Sequence, residues 1–501
     1  MPNDVIFIKG QGGLGRPLPG TDYVSALLFY TAALPSGFTT TDRIKTVFSI
    51  EDAENLGITD THIGETKATG TTTITGVGTA GDTVNINVTT DLGVINLGTA
   101  IVPSTPTVTT VAAAVVSVIN AGTINHGYTA SNLAGVITVT APGGNGLAGN
   151  TFTFSNVLTG TVTATVTAFA GGVSSDIDIL HYHIAEFFRI QPKGKLFVGV
   201  YGVADATTFA SITLMQNFAL GEIKQMAIYQ KTTPFATSQT NTIQGICATL
   251  EGLHKPLVVL YQADFSATAD ITTLSNLRLL TNPNVSVLIG QDGAALGKSL
   301  FRATQKTIGI AGTTLGAVAL AAVNESIAWI GKFQMASSEF DTLAFANGQL
   351  YTAISDGAIN NLDSFGYIFL KKQIGLSGSY FDNCFTAVSP TSDYSKINSN
   401  RTIYKAIRSV RTILLPNLSS PIVVNADGTL SEDVIGYYTS ECARALDVMV
   451  RDGEISAYNV IINPAQNVLS TSTLAITIEI VPTGDADTIK INIGYTLSIS
   501  Q

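Results

Sequence analysis

Gly10, Gly12 and Gly15 close the apolar run Val5-Ile6-Phe7-Ile8-Lys9 at the spacing of a dinucleotide-binding turn. In such a turn the glycines let the backbone approach a pyrophosphate, which then rests on the N-terminus of the following helix. Here the following residues are Arg16-Pro17-Leu18-Pro19-Gly20, and two prolines remove two donors and disfavour helical conformation before each of them. The acidic residue that should hold a ribose hydroxyl about 20 positions on is also missing, its place falling among Tyr30, Thr31, Leu34, Pro35 and Ser36. The stretch therefore reads as an extended strand, Val5 to Lys9, followed by a hinge of Gly10, Gly12, Gly13, Gly15, Pro17 and Pro19, and no cofactor is expected.

The other chemistry-bearing residues are equally sparse. Asp176, Asp178, His181 and His183 lie on a helical pattern, where positions i and i+2 sit roughly 200° apart, so neither pair converges on one ion. One histidine is expected partly buried and the other facing solvent. Asp264 and Asp292 follow strand-like runs, where open α/β sheets place their sites, yet no His, Cys or second carboxylate motif joins them. Gly297-Lys298-Ser299 matches the tail of a phosphate-binding loop, but the glycine required five positions earlier is Asp292, whose charge repels phosphate. Cys247, Cys384 and Cys442 form no CxxC pattern and read as reduced, buried or semi-buried thiols of an intracellular protein. No catalytic or metal-binding residue is assigned. The sharpest functional pattern is a stripe of cations, Arg401, Lys405, Arg408 and Arg411, opposite Ile403, Ile407, Val410 and Leu414 on one helix, a candidate docking face for an acidic partner.

These residues sit in a chain of 501 residues, 45% hydrophobic and only 12% charged, with a net charge of −10. That length allows about three to four domains. The negative balance argues against binding nucleic acid or an anionic membrane, and the low charge density suits a protein that buries surface against copies of itself. Met1-Pro2-Asn3-Asp4 lacks a basic, then apolar, leader pattern, so no secretory signal is expected.

From Leu92 to Ser175 no Asp, Glu, Lys or Arg occurs, and stretches such as "TVNINVTT" and "GTVTATVTAF" alternate with period two between Gly-rich turns. "TTVAAAVVSVINAG" interrupts them as a helix ending at Gly122. Residues 62–175 thus form an inserted β-rich domain. It interrupts an α/β core, 21–61 plus 176–375, in which short apolar strands ("KLFVGVY", "KQMAIY", "PLVVLY", "VSVLIG") alternate with helices, including one around Ile271 to Leu280, as in a mostly parallel sheet. An N-terminal arm (1–20) precedes the core. An α+β C-terminal domain (376–501) follows, with helices Ser399 to Leu415 and Ser431 to Met449 and three strand-like runs, the last two joined by "TGDAD" as a hairpin. The fold class is α/β and α+β multidomain, with strand arms at both ends.

Three long blocks, "GQGGLGRPLPGTDYVSALLFYTAALPSGF", "DIDILHYHIAEFFRIQPKGKLFVGVY" and the run from "RTIYKAIRSVRTILLPNLSS" through "LAITIEIVP", resemble contractile tail sheath proteins of myovirus-type bacteriophages. The resemblance implies a structural protein and no enzyme: a subunit that stacks as hexameric rings around the tail tube, assembled from the baseplate towards the tail terminator, and contracts to drive the tube through the host envelope. It implies a virion tail location, with assembly in the host cytoplasm, and neither nucleic-acid nor membrane partners. It also implies that terminal strands pair with sheets of neighbouring subunits, which by position would be Val5, Ile6, Phe7, Ile8 and Lys9, and Ile489, Ile491, Ile493, Tyr495 and Leu497. The cationic stripe would then face the tube or a neighbour. The alternatives are an α/β enzyme with a decorated insert, or another self-assembling tail or surface-array protein.

Overall fold

A computed structural model describes residues 20–495. The strand Val5 to Lys9, the hinge from Gly10 to Pro19, and Leu497 lie outside the described residues. The chain divides into two compact units, the first running to Leu320 and resuming over Ile327–Ser395, the second made of Ala321–Ser326 and the chain from Lys396.

The first unit is built on a seven-stranded sheet. Gln225–Pro234 lies at its centre; Ser25–Tyr30 and then Leu196–Tyr201 follow on one side, and Val258–Asp264, Val285–Leu288 and Tyr367–Ile368 extend it on the other. All these pairings are parallel; only Ile44–Val47, at the edge beyond Leu196–Tyr201, runs antiparallel. "SALLFY" and "LFVGVY" are buried at every position, as strands covered on both faces must be. Leu27 sits beside Val198 and Ala227 in register. Helices Asp176–Ile190 and Ala311–Leu320 cross closely because Gly312 and Gly316 have no side chains: a Cβ at Gly312 would overlap the His183 carbonyl oxygen and stand 2.7 Å from its Cα.

The helix expected around Ile271 to Leu280 is instead two short 3-10 turns, Ile271–Thr273 and Leu277–Leu279. Asp270 and Asn276 each accept the N–H two residues on, at 3.0 and 2.8 Å, and these local side-chain bonds compete with a continuous helix. The unit also runs past Gly375. Leu370–Lys371 pairs with Tyr380–Phe381, and Thr281–Asn282 with Ala387–Val388, which binds the chain up to Ser395 into this unit.

The inserted segment folds as alternation requires. Val84, Ile86 and Val88 of Thr83–Thr90 point inward, against helix Val108–Ala121, whose Val111, Ala112, Val115 and Ile119 are buried. Thr107 caps that helix and Gly122 follows it. One four-stranded antiparallel sheet joins Val162–Ala170, Thr69–Val77, Val136–Thr140 and Thr129–Leu133; a second is centred on Thr83–Thr90. The insert's apolar cluster draws all its members from residues 68–169.

The second unit packs helices Ile397–Leu414 and Glu432–Arg451 on the two-stranded antiparallel sheet Ile455–Ile461 and Thr477–Pro482. Ala406, Leu446, Met449 and Ile455 form its small core. Ser431 accepts from the Val434 N–H, which starts the second helix where the sequence places it. The expected hairpin between the last two strand-like runs does not form. Thr477–Pro482 pairs back onto Ile455–Ile461, and residues 488–495 take no regular secondary structure.

Candidate assembly site

The two aspartates at or after the ends of strands of the parallel sheet are engaged within the chain itself. Asp292 is fully buried and its carboxylate accepts from the backbone N–H groups of Ala294, Ala295, Lys298 and Phe340, at 3.1, 2.6, 3.2 and 2.9 Å. Glu339 accepts from the Leu296 and Gly297 N–H groups at 3.0 and 3.1 Å. Two carboxylates therefore occupy the N-terminus of helix Leu296–Thr304, where a phosphate would sit in the phosphate-loop reading. Asp292→Ala leaves four buried or half-buried N–H groups without their acceptor, and a loss of about 2–4 kcal/mol of stability is expected in denaturant unfolding. Asp264 is likewise spent, in an ion pair with Lys306 at 2.8 Å.

Neither histidine faces solvent, contrary to expectation. His181 keeps 12% of its side chain exposed, because the insert-proximal helix Ile50–Asn55 brings Glu54 to 3.2 Å from its Nε2. His183 is fully buried between the rings of Tyr182 and Tyr229, and burial pushes its pKa down to about 3. Asp176 pairs with Lys231, and Asp178 accepts from the His62 N–H and meets its Nδ1 at 2.7 Å. Among the described residues no three His, Cys, Asp or Glu side chains cluster as metal ligands. All three cysteines are buried and in no disulfide, and burial raises the Cys247 thiol to about 12. No described helix is long and apolar enough to cross a membrane.

One more buried acid sets a pH dependence. Burial, then the neighbouring Asp363, raises the Asp382 carboxyl to about 7, against the pull of its ion-pair partner Lys371. The unfolded carboxyl titrates near ~3.9, so the fold holds a proton that the unfolded chain releases between about pH 4 and 7. This contribution is complete below that window and is lost as pH rises through 7. His183 works in the opposite sense, its contribution present above about pH 6.5 and lost as pH falls towards 3. Urea titrations across pH 4–8 of the wild type and Asp382→Asn should separate them: the variant's stability, relative to wild type, climbs over pH 4–7, and parallel curves would refute the assignment.

In the second unit the cationic stripe turns out to face inward at its start. Arg401 is 3% exposed and donates to the carbonyls of Ala321 and Ala322, at 3.2 and 3.1 Å. Lys405 pairs with the buried Glu454 at 2.5 Å. These two are therefore removed from the candidate docking face: a helical projection shows which residues share a side, but their partners lie 80 and 49 residues away in sequence. Arg408 and Arg411 are half-buried, while Ile407, from the supposed inner side, is 41% exposed.

The sharper site lies after the last strand. Asp485 and Asp487 reach Lys396 Nζ at 3.2 and 2.7 Å, and Asp485 also accepts from the Asn398 side chain at 3.0 Å. Asn324 donates to Thr483 Oγ1 at 3.2 Å and to the Gly453 carbonyl at 3.0 Å. The chain is thus tied down beside the first turn of helix Ile397–Leu414. Past this anchor Ile489, Ile491, Ile493 and Tyr495 stand 78, 73, 91 and 112% exposed. Their alternation with Lys490, Asn492 and Gly494 has the two-residue period of a half-buried strand, and among the described residues it pairs with no sheet. The neighbouring sheet has only two strands, and among the described residues nothing pairs with its outer edges. Sequence reasoning missed the anchor. "TGDAD" reads as turn chemistry, although two aspartates in alternate positions also form a pincer for one lysine.

The family model described as DUF2586, C-terminal domain, matches residues 393–500. No curated protein matches the chain. Among solved structures, the helical sheath of the anti-feeding prophage in its contracted state is 14% identical, covering 62% of this chain and 81% of that one at a TM-score of 0.46. The sheath complex of an extracellular contractile injection system, PVC, also contracted, is 12% identical, covering 64% and 81% at 0.44. The sheath tail protein from Listeria innocua is 11% identical, covering 93% and 96% at 0.40. All three are sheaths.

Proposed function

We propose that the chain is the structural subunit of a bacteriophage contractile tail sheath. It stacks as hexameric rings around the tail tube, grows from the baseplate, and contracts to drive the tube through the host envelope. The observation that carries this reading is the anchored, exposed segment 488–495 beside a two-stranded sheet with open edges. A strand donated by one copy to the sheet of the next supplies main-chain hydrogen bonds along its whole length and solves the exposed-edge problem for both. Val5 to Lys9 would serve as the second donated strand, with Gly10 to Pro19 as the hinge that lets subunits reorient while they remain linked. Arg408 and Arg411 remain as a contact for the tube or a neighbour, and no catalytic step is assigned to any residue.

Negative-stain microscopy of the purified protein is expected to show rings or hollow sheaths as concentration rises. A protein that sediments as a monomer at every concentration would overturn the proposal. Removing the residues before Tyr23 should stop polymerisation while circular dichroism and melting stay those of a folded subunit.

A further inference from the structure

The insert meets the core at its two chain crossings and along helix Leu296–Thr304, where a Cβ on Gly146 would stand 2.5 Å from the Ala303 carbonyl oxygen. At the crossings, residues 62–66 and 171–175, the strands share a single bridge, Thr66 with Val173. His62, Gly64 and Gly171 take φ of 59°, 81° and 80°, and a Cβ on either glycine would meet nothing within 4 Å. One unconfined left-handed glycine on each crossing, Gly64 and Gly171, is what a hinge requires.

Away from them, Arg302 on helix Leu296–Thr304 reaches Asp91, in the turn between Thr83–Thr90 and Gly93–Ile101. Its Nε and Nη2 each stand 2.5 Å from the carboxylate. Its Nη1 donates to Asn145 Oδ1 at 2.9 Å, and its guanidinium stands 5.7 Å from the centre of the Phe152 ring. Asp91 is the last charged residue before the run without Asp, Glu, Lys or Arg from Leu92 to Ser175. A cavity of about 290 Å³ lies beside it, lined among others by His62, Glu65 and Asp178. It is not a ligand site: the Glu65 oxygens accept from the Gly144 and Gly146 N–H groups, and those of Asp178 are taken by His62.

We infer that the Asp91–Arg302 pair is a releasable latch that sets the angle of the insert on the core, with the two crossings as its hinge. A bidentate guanidinium–carboxylate pair fixes direction as well as distance. Asp91 is 43% exposed, so salt weakens the latch in a way it cannot weaken apolar packing. The inference does not rest on the reading of the chain as a sheath subunit.

The test uses the full chain with spin labels at Ile124→Cys on the insert and Leu253→Cys on the core, both exposed positions, while the three native cysteines are buried. The distance distribution is expected to be narrow in dilute buffer. It should widen at least about twofold in Asp91→Ala and in Arg302→Ala, and in the unaltered pair as NaCl rises to about 1 M. Protease cleavage within 62–66 or 171–175 should increase roughly tenfold in both variants. Unchanged distributions in both variants would overturn the latch. Should neither variant fold, a wild-type distribution that stays the same across the salt series would overturn it as well.

Discussion

Removal of residues 488–501 is expected to leave a folded subunit that no longer polymerises. The segment contributes little to the fold of its own chain, since Ile489, Ile491 and Ile493 remain 78, 73 and 91% exposed. The truncation keeps the strand Thr477–Pro482 and both aspartates that bind Lys396, so the second unit retains its core and its anchor. What disappears is a strand with a continuous row of donors and acceptors and an apolar face to bury in a neighbour. The expected result is a rise of at least about a hundredfold in the concentration needed for assembly, equivalent to roughly 2.7 kcal/mol per contact, with melting unchanged. Sedimentation and microscopy read the first quantity and calorimetry the second. Normal assembly would refute strand donation, and loss of folding would show that the segment completes its own subunit.

Gly312→Ala is the second large effect. The new methyl group would overlap the His183 carbonyl oxygen, which belongs to a helix backbone and has no rotamer through which to escape. Helices Asp176–Ile190 and Ala311–Leu320 must therefore separate, and Gly316, whose Cβ would stand 3.0 Å from the Phe187 carbonyl oxygen, lies on the same side of the crossing. A loss of about 3 kcal/mol or more is expected in chemical denaturation. Gly436→Ala provides the contrast. It too lies within a helix, Glu432–Arg451, but its Cβ would meet nothing within 4 Å, so the same change should stabilise by up to about 1 kcal/mol. Equal effects at the two positions would show that helix propensity, and not the close crossing, controls Gly312.

The parallel sheet was legible because its strands are short apolar runs between helices, a pattern that tertiary structure has no reason to override. The insert was legible for the complementary reason: strict alternation assigns Val84, Ile86 and Val88 to one side whatever they pack against. Pairing between distant elements was not. "EISAYNVIIN", "LAITIEIVP" and "TIKINIGYTLSIS" are equally good strands by pattern, and which two pair depends on the helix surface beneath them. Charged groups were the least legible. Arg401 and Arg411 look alike on a helical projection, yet one is buried against carbonyls of Ala321 and Ala322 and the other is half-buried at the far end of the helix. The glycines from Gly10 to Gly15 have lost their cofactor reading on the sequence alone, because the prolines that follow deny them a helix.

The anchor at Asp485 and Asp487 has a mechanical consequence. Tension applied along residues 488–495 does not peel Thr477–Pro482 from its partner strand one bond at a time; it first meets Lys396 and Asn398, at the first turn of helix Ile397–Leu414. From there the load enters the helix and the Arg401 bonds to Ala321 and Ala322, where several contacts share it in parallel. Ion pairs between flexible side chains stretch and re-form with little cost, so the junction behaves as a compliant strain relief and the small sheet behind it is spared the pull.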